Sequence, residues 1–407
     1  MNPNSYQQLV ETTRDMLDRL SSGQISLAPQ VMNKDASLYT DPDCFEREKE
    51  TLFRRLPLML AASCELPGDG DYKALEVIDI PVLLTREKGG RVRAFLNSCT
   101  HRGSVLASGK GCAHRFTCPY HGWTFRNDGR LIGISSQAQF GAADKAKLAL
   151  VEFPVYESAG LIWVVLDPKS GLDIEAFLSG FDGLLTGYDL RNWQFYEQVS
   201  LAGANWKLAF DAHLEFYHLP VLHRKTFGAD ISNLAQYYFQ GPHQRLGLMS
   251  ANPLIPEQAA FLKLGVVDEA EWDVATMMFG EWILFPNVSI NCYPSGVQVM
   301  VISQVFPGRS VEESFTVQTY LVERTPTDAE REEVDAVVQF IQKVVREEDL
   351  PMSRKQQKAL SSGLLPSVYL GRNEEGLQRY YAWRDRVMAS SDEGLNELFL
   401  RATKTPF

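Results

Sequence analysis

No apolar run in this chain is long enough to cross a bilayer, and the N-terminal segment lacks the features of a secretory signal. Six cysteines in 407 residues do not form a disulfide framework. Repeats and Lys/Arg clusters are also absent, and the net charge is −11. Nucleic acid and anionic membrane surfaces are therefore not expected partners. These absences predict a cytoplasmic protein.

A Gly-x-Gly-x-x-Gly motif following a strand is also missing, so the sequence predicts neither a flavin nor a nicotinamide site. Any redox chemistry would then need electrons from a separate protein. The chain length suits two domains rather than one core.

Short apolar runs separated by Gly, Pro and Asp occupy residues 45–165 and predict a small antiparallel β domain. Residues 166–407 form a second domain, and residues 1–44 form a helical lead-in that is expected to pack on it. The pattern there predicts an antiparallel sheet with one buried face, covered by helices on one side, and the fold class is α+β. The predicted helices are 5–20, 205–219, a long helix from about 328 and 374–390, and the predicted strands are 194–201, 281–291, 296–306 and 313–323.

Two loops carry one cysteine and one histidine each, as Cys99-x-His101 and Cys118-x-x-His121. This mixed set suits a [2Fe–2S] centre in which histidines replace the cysteines on one iron. Zinc is the alternative, although zinc fingers usually keep their cysteines together and their histidines together. A further Cys112-Ala-His114 pair lies between the loops, and we interpret it as a small buried thiol and a surface or core histidine.

A second group begins with His218 and His223, which are five residues apart with Pro220 between them. Proline would break the helix and let the second imidazole turn back towards the first. Two imidazoles and one carboxylate form the iron site of non-haem oxygenases. Asp349, at the end of the helix from 328, is the candidate carboxylate, and Glu348 competes with it.

Together with Asn205-Trp-Lys and Gln357, these motifs resemble the Rieske non-haem iron oxygenases, specifically the α subunit of the terminal oxygenase. The resemblance covers residues 39–388. It implies a β domain carrying a Rieske [2Fe–2S] cluster and a catalytic domain whose antiparallel sheet grips a helix. The implied cluster ligands are Cys99, His101, Cys118 and His121, and the implied ligands of the mononuclear Fe(II) are His218, His223 and Asp349.

The resemblance also implies a carboxylate that links the iron site to a cluster histidine of a neighbouring subunit. Glu215 holds that position, where most family members have Asp and choline, glycine betaine and carnitine oxygenases have Glu. Asp211 is the alternative bridge. Asn205 is expected near the iron as a supporting residue, or as a helix N-cap.

The implied function is the oxygenase component of a multicomponent system that uses O2 and electrons from an NADH-dependent flavin reductase, with or without a ferredoxin. We expect hydroxylation or oxidative demethylation of a small aromatic or quaternary ammonium compound, by a head-to-tail homotrimer with or without a β subunit. Ring cis-dihydroxylation in aromatic catabolism is the second reading, and a pure Rieske electron carrier the third. Aromatic and Met residues between 224 and 282 are candidates for the substrate pocket.

Overall fold

The computed structural model describes residues 1–228, 231–248, 256–293 and 296–402. Within these ranges, no helix combines the length and the apolar character needed to span a bilayer. The α-helices are α1 Pro3–Ser22, α2 Pro42–Glu48, α3 Gln137–Phe140, α4 Ile174–Leu178, α5 Phe181–Leu185, α6 Trp206–Asp211, α7 Leu219–Leu222, α8 Pro256–Lys263, α9 Val274–Met277, α10 Asp328–Val344, α11 Leu350–Leu360, α12 Glu375–Ala389 and α13 Asp392–Ala402. Two π-helical segments are Lys49–Arg54 and Val345–Asp349.

The strands follow in the same numbering. They are β1 Met32–Asp35, β2 Pro57–Ala62, β3 Asp71–Val77, β4 Ile80–Arg86, β5 Val92–Leu96, β6 Lys110–Cys112, β7 Arg115–Thr117, β8 Thr124–Arg126, β9 Leu131–Gly133, β10 Glu152–Phe153, β11 Val155–Ser158, β12 Leu161–Val165, β13 Gln194–Gly203, β14 Ala235–Gln240, β15 His243–Leu248, β16 Glu281–Leu284, β17 Val288–Tyr293, β18 Val299–Pro307, β19 Ser314–Val322 and β20 Ser367–Leu370.

The chain forms two compact units, one of residues 53–174 and one of residues 1–52 with 175–407. The smaller unit contains antiparallel sheets in the orders β10-β5-β4-β3-β6, β11-β12-β2 and β7-β8-β9. Phe95, Trp123 and Phe125 form part of a buried cluster in this unit that also includes Cys99 and Cys118. Apolar packing therefore reaches directly to the two cysteine loops.

The larger unit is built on a seven-stranded antiparallel sheet in the order β13-β19-β18-β17-β16-β15-β14. Val334, Val338 and Ile341 follow helical spacing on α10 and pack against the buried side chains of β18 and β19. The predicted α+β class with an antiparallel sheet is confirmed. Both faces of β18 are buried, however, since Met300 and Ile302 are as inaccessible as Val299. The expectation of one buried face was wrong for this strand.

A buried charge network fixes the helix that leads into the second histidine motif. Glu48 on α2 accepts hydrogen bonds from Trp206 Nε1 at 3.0 Å and Arg384 Nε at 2.6 Å, and it pairs with Lys207 Nζ. Glu48 and Lys207 are both fully buried. An unpaired charge at this depth would cost several kcal/mol, so α2, α6 and α12 are held in one arrangement.

Candidate metal centres

The two cysteine loops of the smaller unit have the same construction. The Gly103 N–H donates to the Cys99 carbonyl at 2.8 Å, and the Gly122 N–H donates to the Cys118 carbonyl at 3.0 Å. Both glycines adopt left-handed backbone angles, with φ of 81° and 70°. Residues other than glycine rarely adopt this conformation. The glycine in each motif therefore allows the loop to close tightly behind the cysteine.

The four side chains brought together by these loops fit a [2Fe–2S] cluster of mixed ligation. Within the described residues, Nδ1 of His101 and Nδ1 of His121 are buried without a hydrogen-bond partner. The two imidazole rings lie 4.7 Å apart, centre to centre. Burial lowers the pKa of His121, which favours the neutral ring that a metal requires. Although burial opposes ionisation of Cys118, the N–H groups of His121 and Tyr120 hold its pKa below the usual value.

The Cys112-Ala-His114 pair lies at the end of β6 and the turn that follows it. Cys112 is exposed, so its interpretation as a buried thiol was wrong. Its Sγ lies 3.6 Å from the Asp69 carbonyl oxygen, and the His114 side chain is 62% exposed.

In the larger unit, the helix expected over 205–219 ends much earlier. α6 stops at Asp211, and a turn separates it from the short helix α7. His218 and His223 are the cap residues at the two ends of α7, and Pro220 lies in its first turn, where no backbone N–H is needed. Pro220 thus begins a helix instead of breaking one. The two imidazole centres are 5.1 Å apart.

Each of these histidines has a carboxylate on its Nδ1 atom. His218 Nδ1 lies 2.5 Å from Glu215 Oε1, and His223 Nδ1 lies 2.6 Å from Glu348 Oε2. Thr226 Oγ1 donates to the other oxygen of Glu348. Rings that donate from Nδ1 offer a lone pair at Nε2, which is the usual arrangement behind a metal-bound histidine.

Asp349 lies on the other side of the His223 ring. Its Oδ1 atom is 3.2 Å from His223 Nε2, and within the described residues it has no hydrogen-bond donor. The potential ligand atoms of His218, His223 and Asp349 all lie within 4.8 Å of one another. This set fits the two-histidine, one-carboxylate iron site.

The π-helical segment Val345–Asp349 explains how two consecutive acids reach one imidazole. It joins α10 to α11 and widens the helix by one residue per turn. Glu348 and Asp349 therefore both approach His223, at opposite ring nitrogens. Sequence reasoning considered Glu348 as a competing ligand, whereas the structure places it behind the histidine.

Two cavities meet at this site and share Ala212, His218 and Asp349 in their walls. The first has a volume of about 420 Å³ and includes five aromatic side chains, Phe216, Phe227, Phe279, Tyr293 and Phe340. The second, of about 360 Å³, contains the acidic residues Asp211, Glu215 and Glu374. Six of the aromatic and Met candidates between 224 and 282 are buried but do not line the first cavity. They are Tyr237, Tyr238, Phe261, Met277, Met278 and Trp282.

Two further candidates have partners away from the three ligands. Asp211 accepts hydrogen bonds from Tyr39 at 2.8 Å and Tyr381 at 2.7 Å, and burial raises its pKa to about 7. Asn205 is the N-cap of α6, since its Oδ1 accepts the Lys207 N–H at 3.0 Å. Its Nδ2 donates to a backbone carbonyl at 2.7 Å, so both ends of the side chain are engaged.

Two family models match separate parts of the chain. The Rieske [2Fe-2S] domain matches residues 57–154, and the ring hydroxylating alpha subunit (catalytic domain) matches residues 190–390. The carnitine monooxygenase oxygenase subunit of Escherichia coli K12 is 30% identical over 369 residues, which cover 89% of either chain. The chain belongs to the Rieske non-haem iron oxygenases.

Other relatives of this oxygenase agree. The glycine betaine monooxygenase oxygenase subunit of Pseudomonas aeruginosa UCBPP-PA14 is 32% identical over 219 residues, or 51% of this chain and 50% of the relative. A quaternary ammonium Rieske monooxygenase solved with L-carnitine superposes with a TM-score of 0.71 at 22% identity, covering 89% and 96% of the two chains. Naphthalene 1,2-dioxygenase from Rhodococcus sp. gives 0.73 at 20% identity, covering 93% and 98%. Both structures show the shared fold.

This oxygenase therefore contains a Rieske [2Fe–2S] domain and a catalytic domain that binds mononuclear iron. It is the oxygenase component of a system in which a separate reductase supplies electrons for the reaction of O2 with a small organic substrate. The sequence-based predictions of family, enzyme class and cofactors are confirmed.

Proposed function

We propose that this oxygenase hydroxylates or oxidatively demethylates a small quaternary ammonium compound. The observation that carries the proposal is the first cavity, whose aromatic wall adjoins His218, His223 and Asp349. Aromatic faces attract quaternary ammonium groups through their quadrupoles. The curated relatives that support this substrate class act, by name, on carnitine and glycine betaine.

We infer the ligand sets from the donor atoms. The buried Nδ1 atoms, which have no hydrogen-bond partner in the described part of the chain, support His101 and His121 as cluster ligands beside Cys99 and Cys118. The carboxylates on the opposite nitrogens support His218 and His223 as iron ligands through Nε2, with Asp349 as the third. A mononuclear iron bound there would supply the activation of O2.

Each remaining side chain has a task that its position defines. Glu215 and Glu348 hold the two imidazoles in the tautomer that leaves Nε2 unprotonated. The aromatic wall binds and orients the substrate and excludes water from the site. Asn205 acts through the start of α6 and not by direct contact with the substrate.

We further propose the head-to-tail homotrimer of the family, in which the cluster of one subunit serves the iron of the next. Glu215 is the bridge in this assembly, because its Oε1 contacts His218 Nδ1, whereas Asp211, which lines the same second cavity, accepts the hydroxyls of Tyr39 and Tyr381. Leu365 and Tyr369 line the same cavity and are 48% and 65% exposed. Exposed apolar side chains of this kind support a docking surface for a second subunit.

The test is a single turnover of holoenzyme whose cluster has been chemically reduced. The protein reacts with ¹⁸O₂ and a panel of quaternary amines, aryl ethers and aromatic acids, and products are identified by mass spectrometry. We expect one heavy oxygen in a product of a quaternary amine, or release of formaldehyde from it. Two heavy oxygens in an aromatic product would instead establish ring cis-dihydroxylation and a role in aromatic catabolism.

A further inference from the structure

The wall of the first cavity contains polar as well as aromatic side chains. Besides the aromatic residues, the sheet contributes Glu281 from β16, Asn291 from β17, Ser303 from β18 and Thr316 and Gln318 from β19. In the register of the sheet, Ser303 pairs with Gln318 and with Ser289 of β17. Residues two apart on a strand share a face, so these side chains form one continuous polar floor.

This floor is buried, and not all of its polar atoms have a hydrogen-bond partner among the described residues. Thr316 and Gln318 are each 1% exposed, and within the described residues Thr316 Oγ1 has no hydrogen-bond partner. Covering such groups with a pure hydrocarbon would cost free energy, because the hydrocarbon offers no hydrogen bonds. The floor therefore favours a ligand that has polar atoms on one side.

The most polar element of the wall is a pair formed by His213 and Glu281. His213 Nδ1 lies 2.9 Å from Glu281 Oε1, and the same oxygen accepts the Ser289 hydroxyl at 2.6 Å. His213 comes from the turn between α6 and α7, while Glu281 begins β16. The pair thus joins the segment that carries His218 to the floor of the cavity.

The geometry fixes which nitrogen of His213 is available to a ligand. Nδ1 is bonded to Glu281, whereas no described residue hydrogen-bonds Nε2, and the ring lines the cavity. Burial opposes protonation of His213, but the hydrogen bond and charge of Glu281 outweigh it and raise its pKa. Nε2 is therefore the nitrogen that meets a ligand: it accepts a hydrogen bond from a hydroxyl while the ring is neutral and donates one once the ring is protonated.

The rest of the wall offers no competing cation. Among the described residues that line the cavity there is neither lysine nor arginine. His218 and His223 are engaged at the proposed iron site. Among the described lining residues outside the proposed iron site, His213 is therefore the side chain that can donate a charge-assisted hydrogen bond to a substrate once its ring is protonated.

We propose that the His213–Glu281 pair determines specificity by binding an oxygen function of the substrate, a carboxylate or a hydroxyl, through Nε2 of His213. The aromatic wall then holds the remainder of the molecule beside His218 and Asp349. The inference takes one point from the proposed function, namely that this cavity is the substrate site. It does not depend on the substrate class, since the oxygen function can belong to an ammonium or an aromatic compound.

The experiment measures ligand binding to full-length protein that keeps its cluster but has lost the mononuclear iron to a chelator. Calorimetry compares two matched pairs, γ-butyrobetaine with butyltrimethylammonium and phenylacetate with toluene. For whichever skeleton binds, we expect the oxygen-bearing member to bind wild type about tenfold or more tightly. This affinity ratio should fall to about one in His213→Phe and several-fold in Glu281→Gln.

His243→Gln provides the matched control. His243 is also a buried imidazole of the larger unit, but its nitrogens bond to the backbone of Phe177 and Phe285, away from the cavity. The ratio should stay at the wild-type value in this variant, and thermal melting confirms that each variant is folded. Glu281→Gln keeps the test decisive if His213→Phe does not fold.

The outcomes separate the two proposals. Binding of the aromatic pair alone, with the expected ratio, would overturn the quaternary ammonium substrate and support the role of His213. A ratio near one in wild type, or a ratio unchanged in both His213→Phe and Glu281→Gln, would overturn the role of His213. Binding of neither pair by wild type would overturn both.

Discussion

The two candidate metal centres of this oxygenase orient their histidines in different ways. In the smaller unit, backbone loops closed by Gly103 and Gly122 leave the Nδ1 atoms of the histidines buried and unpartnered within the described residues. In the larger unit, side-chain carboxylates hydrogen-bond to Nδ1 of each histidine, so that Nε2 is the nitrogen offered to a metal. One centre depends on backbone conformation and the other on charge. Mutations of charge and of backbone conformation should therefore affect different centres.

The largest effect is expected from Asp349→Ala, because the iron site loses its proposed third ligand, which is also its proposed carboxylate ligand. The mononuclear iron and substrate turnover should be lost, while the visible spectrum of the cluster stays unchanged. Iron analysis together with absorbance spectroscopy distinguishes the two centres. Retention of the mononuclear iron would show that another carboxylate, first of all Glu348, is the ligand.

Two buried carboxylates extend the comparison to pH. In the smaller unit, burial opposes ionisation of Glu65, but Lys73 and Lys110 outweigh it and hold its pKa below normal. In the larger unit, burial raises the pKa of Asp211 to about 7 although Tyr381 and Tyr39 donate to it. Between the pKa of Asp211 in the unfolded chain and its folded value of about 7, Asp211 binds more protons in the folded state than in the unfolded state. Its contribution to stability therefore falls as the pH rises through this range.

Urea unfolding of wild type, Asp211→Asn and Glu65→Gln at pH 5 and pH 8 measures this difference. Wild type should lose on the order of 2 to 3 kcal/mol relative to Asp211→Asn over this range. The difference between wild type and Glu65→Gln should be the same at both pH values, because Glu65 is ionised in both states above pH 5. Parallel pH slopes for wild type and Asp211→Asn would contradict the raised pKa.

Glu215→Gln tests the bridge between the centres. Both metals should stay bound, because glutamine keeps an acceptor oxygen for His218 Nδ1, but turnover should fall about 10- to 100-fold as His218 loses its charged partner. The rate at which added O2 and substrate reoxidise a reduced cluster gives the coupling directly. Unchanged turnover at full metal content would exclude Glu215 from this role.

Glu348→Ala removes the carboxylate behind His223 and has Glu347→Ala as its control, because the neighbouring Glu347 is exposed. Affinity for the mononuclear iron should fall about 10- to 100-fold in Glu348→Ala only. Competition with a chelator measures it. Equal iron loss from the two variants would mean that general charge, and not the contact with His223, holds the metal.

The smallest effect is expected from Gly122→Ala, which forces a side chain into a left-handed conformation at a cost of about 1 to 2 kcal/mol. The cluster should bleach faster in air, while the mononuclear iron is retained. Gly133→Ala is the control, because its φ is not left-handed and its Cβ would meet Thr124 at an ordinary 3.5 Å. Equal bleaching in both variants would remove the special role of the loop glycine.

The same contrast explains what the sequence could predict. The cluster motifs are local, so spacing alone was enough to propose Cys99, His101, Cys118 and His121. Asp349 lies far along the chain from His223. Its position at the end of the helix from 328 made it a candidate in competition with Glu348, and the family resemblance then favoured Asp349. The partner role of Glu348 depends on a π turn, and the His213–Glu281 pair depends on sheet register, neither of which leaves a pattern in the residues. The early end of α6 was not predicted, because the apolar periodicity of the sequence continues through the turn that follows the helix.

The π turn at Val345–Asp349 makes this part of the chain sensitive to residue count as well as residue type. An α-helix rotates by about 100° per residue, so deletion of one residue here would restore regular winding and swing one acid away from His223. A substitution removes one contact, whereas a deletion would change which residues face the histidine. The spacing between α10 and α11 is therefore under a stricter constraint than most of the side chains that it contains.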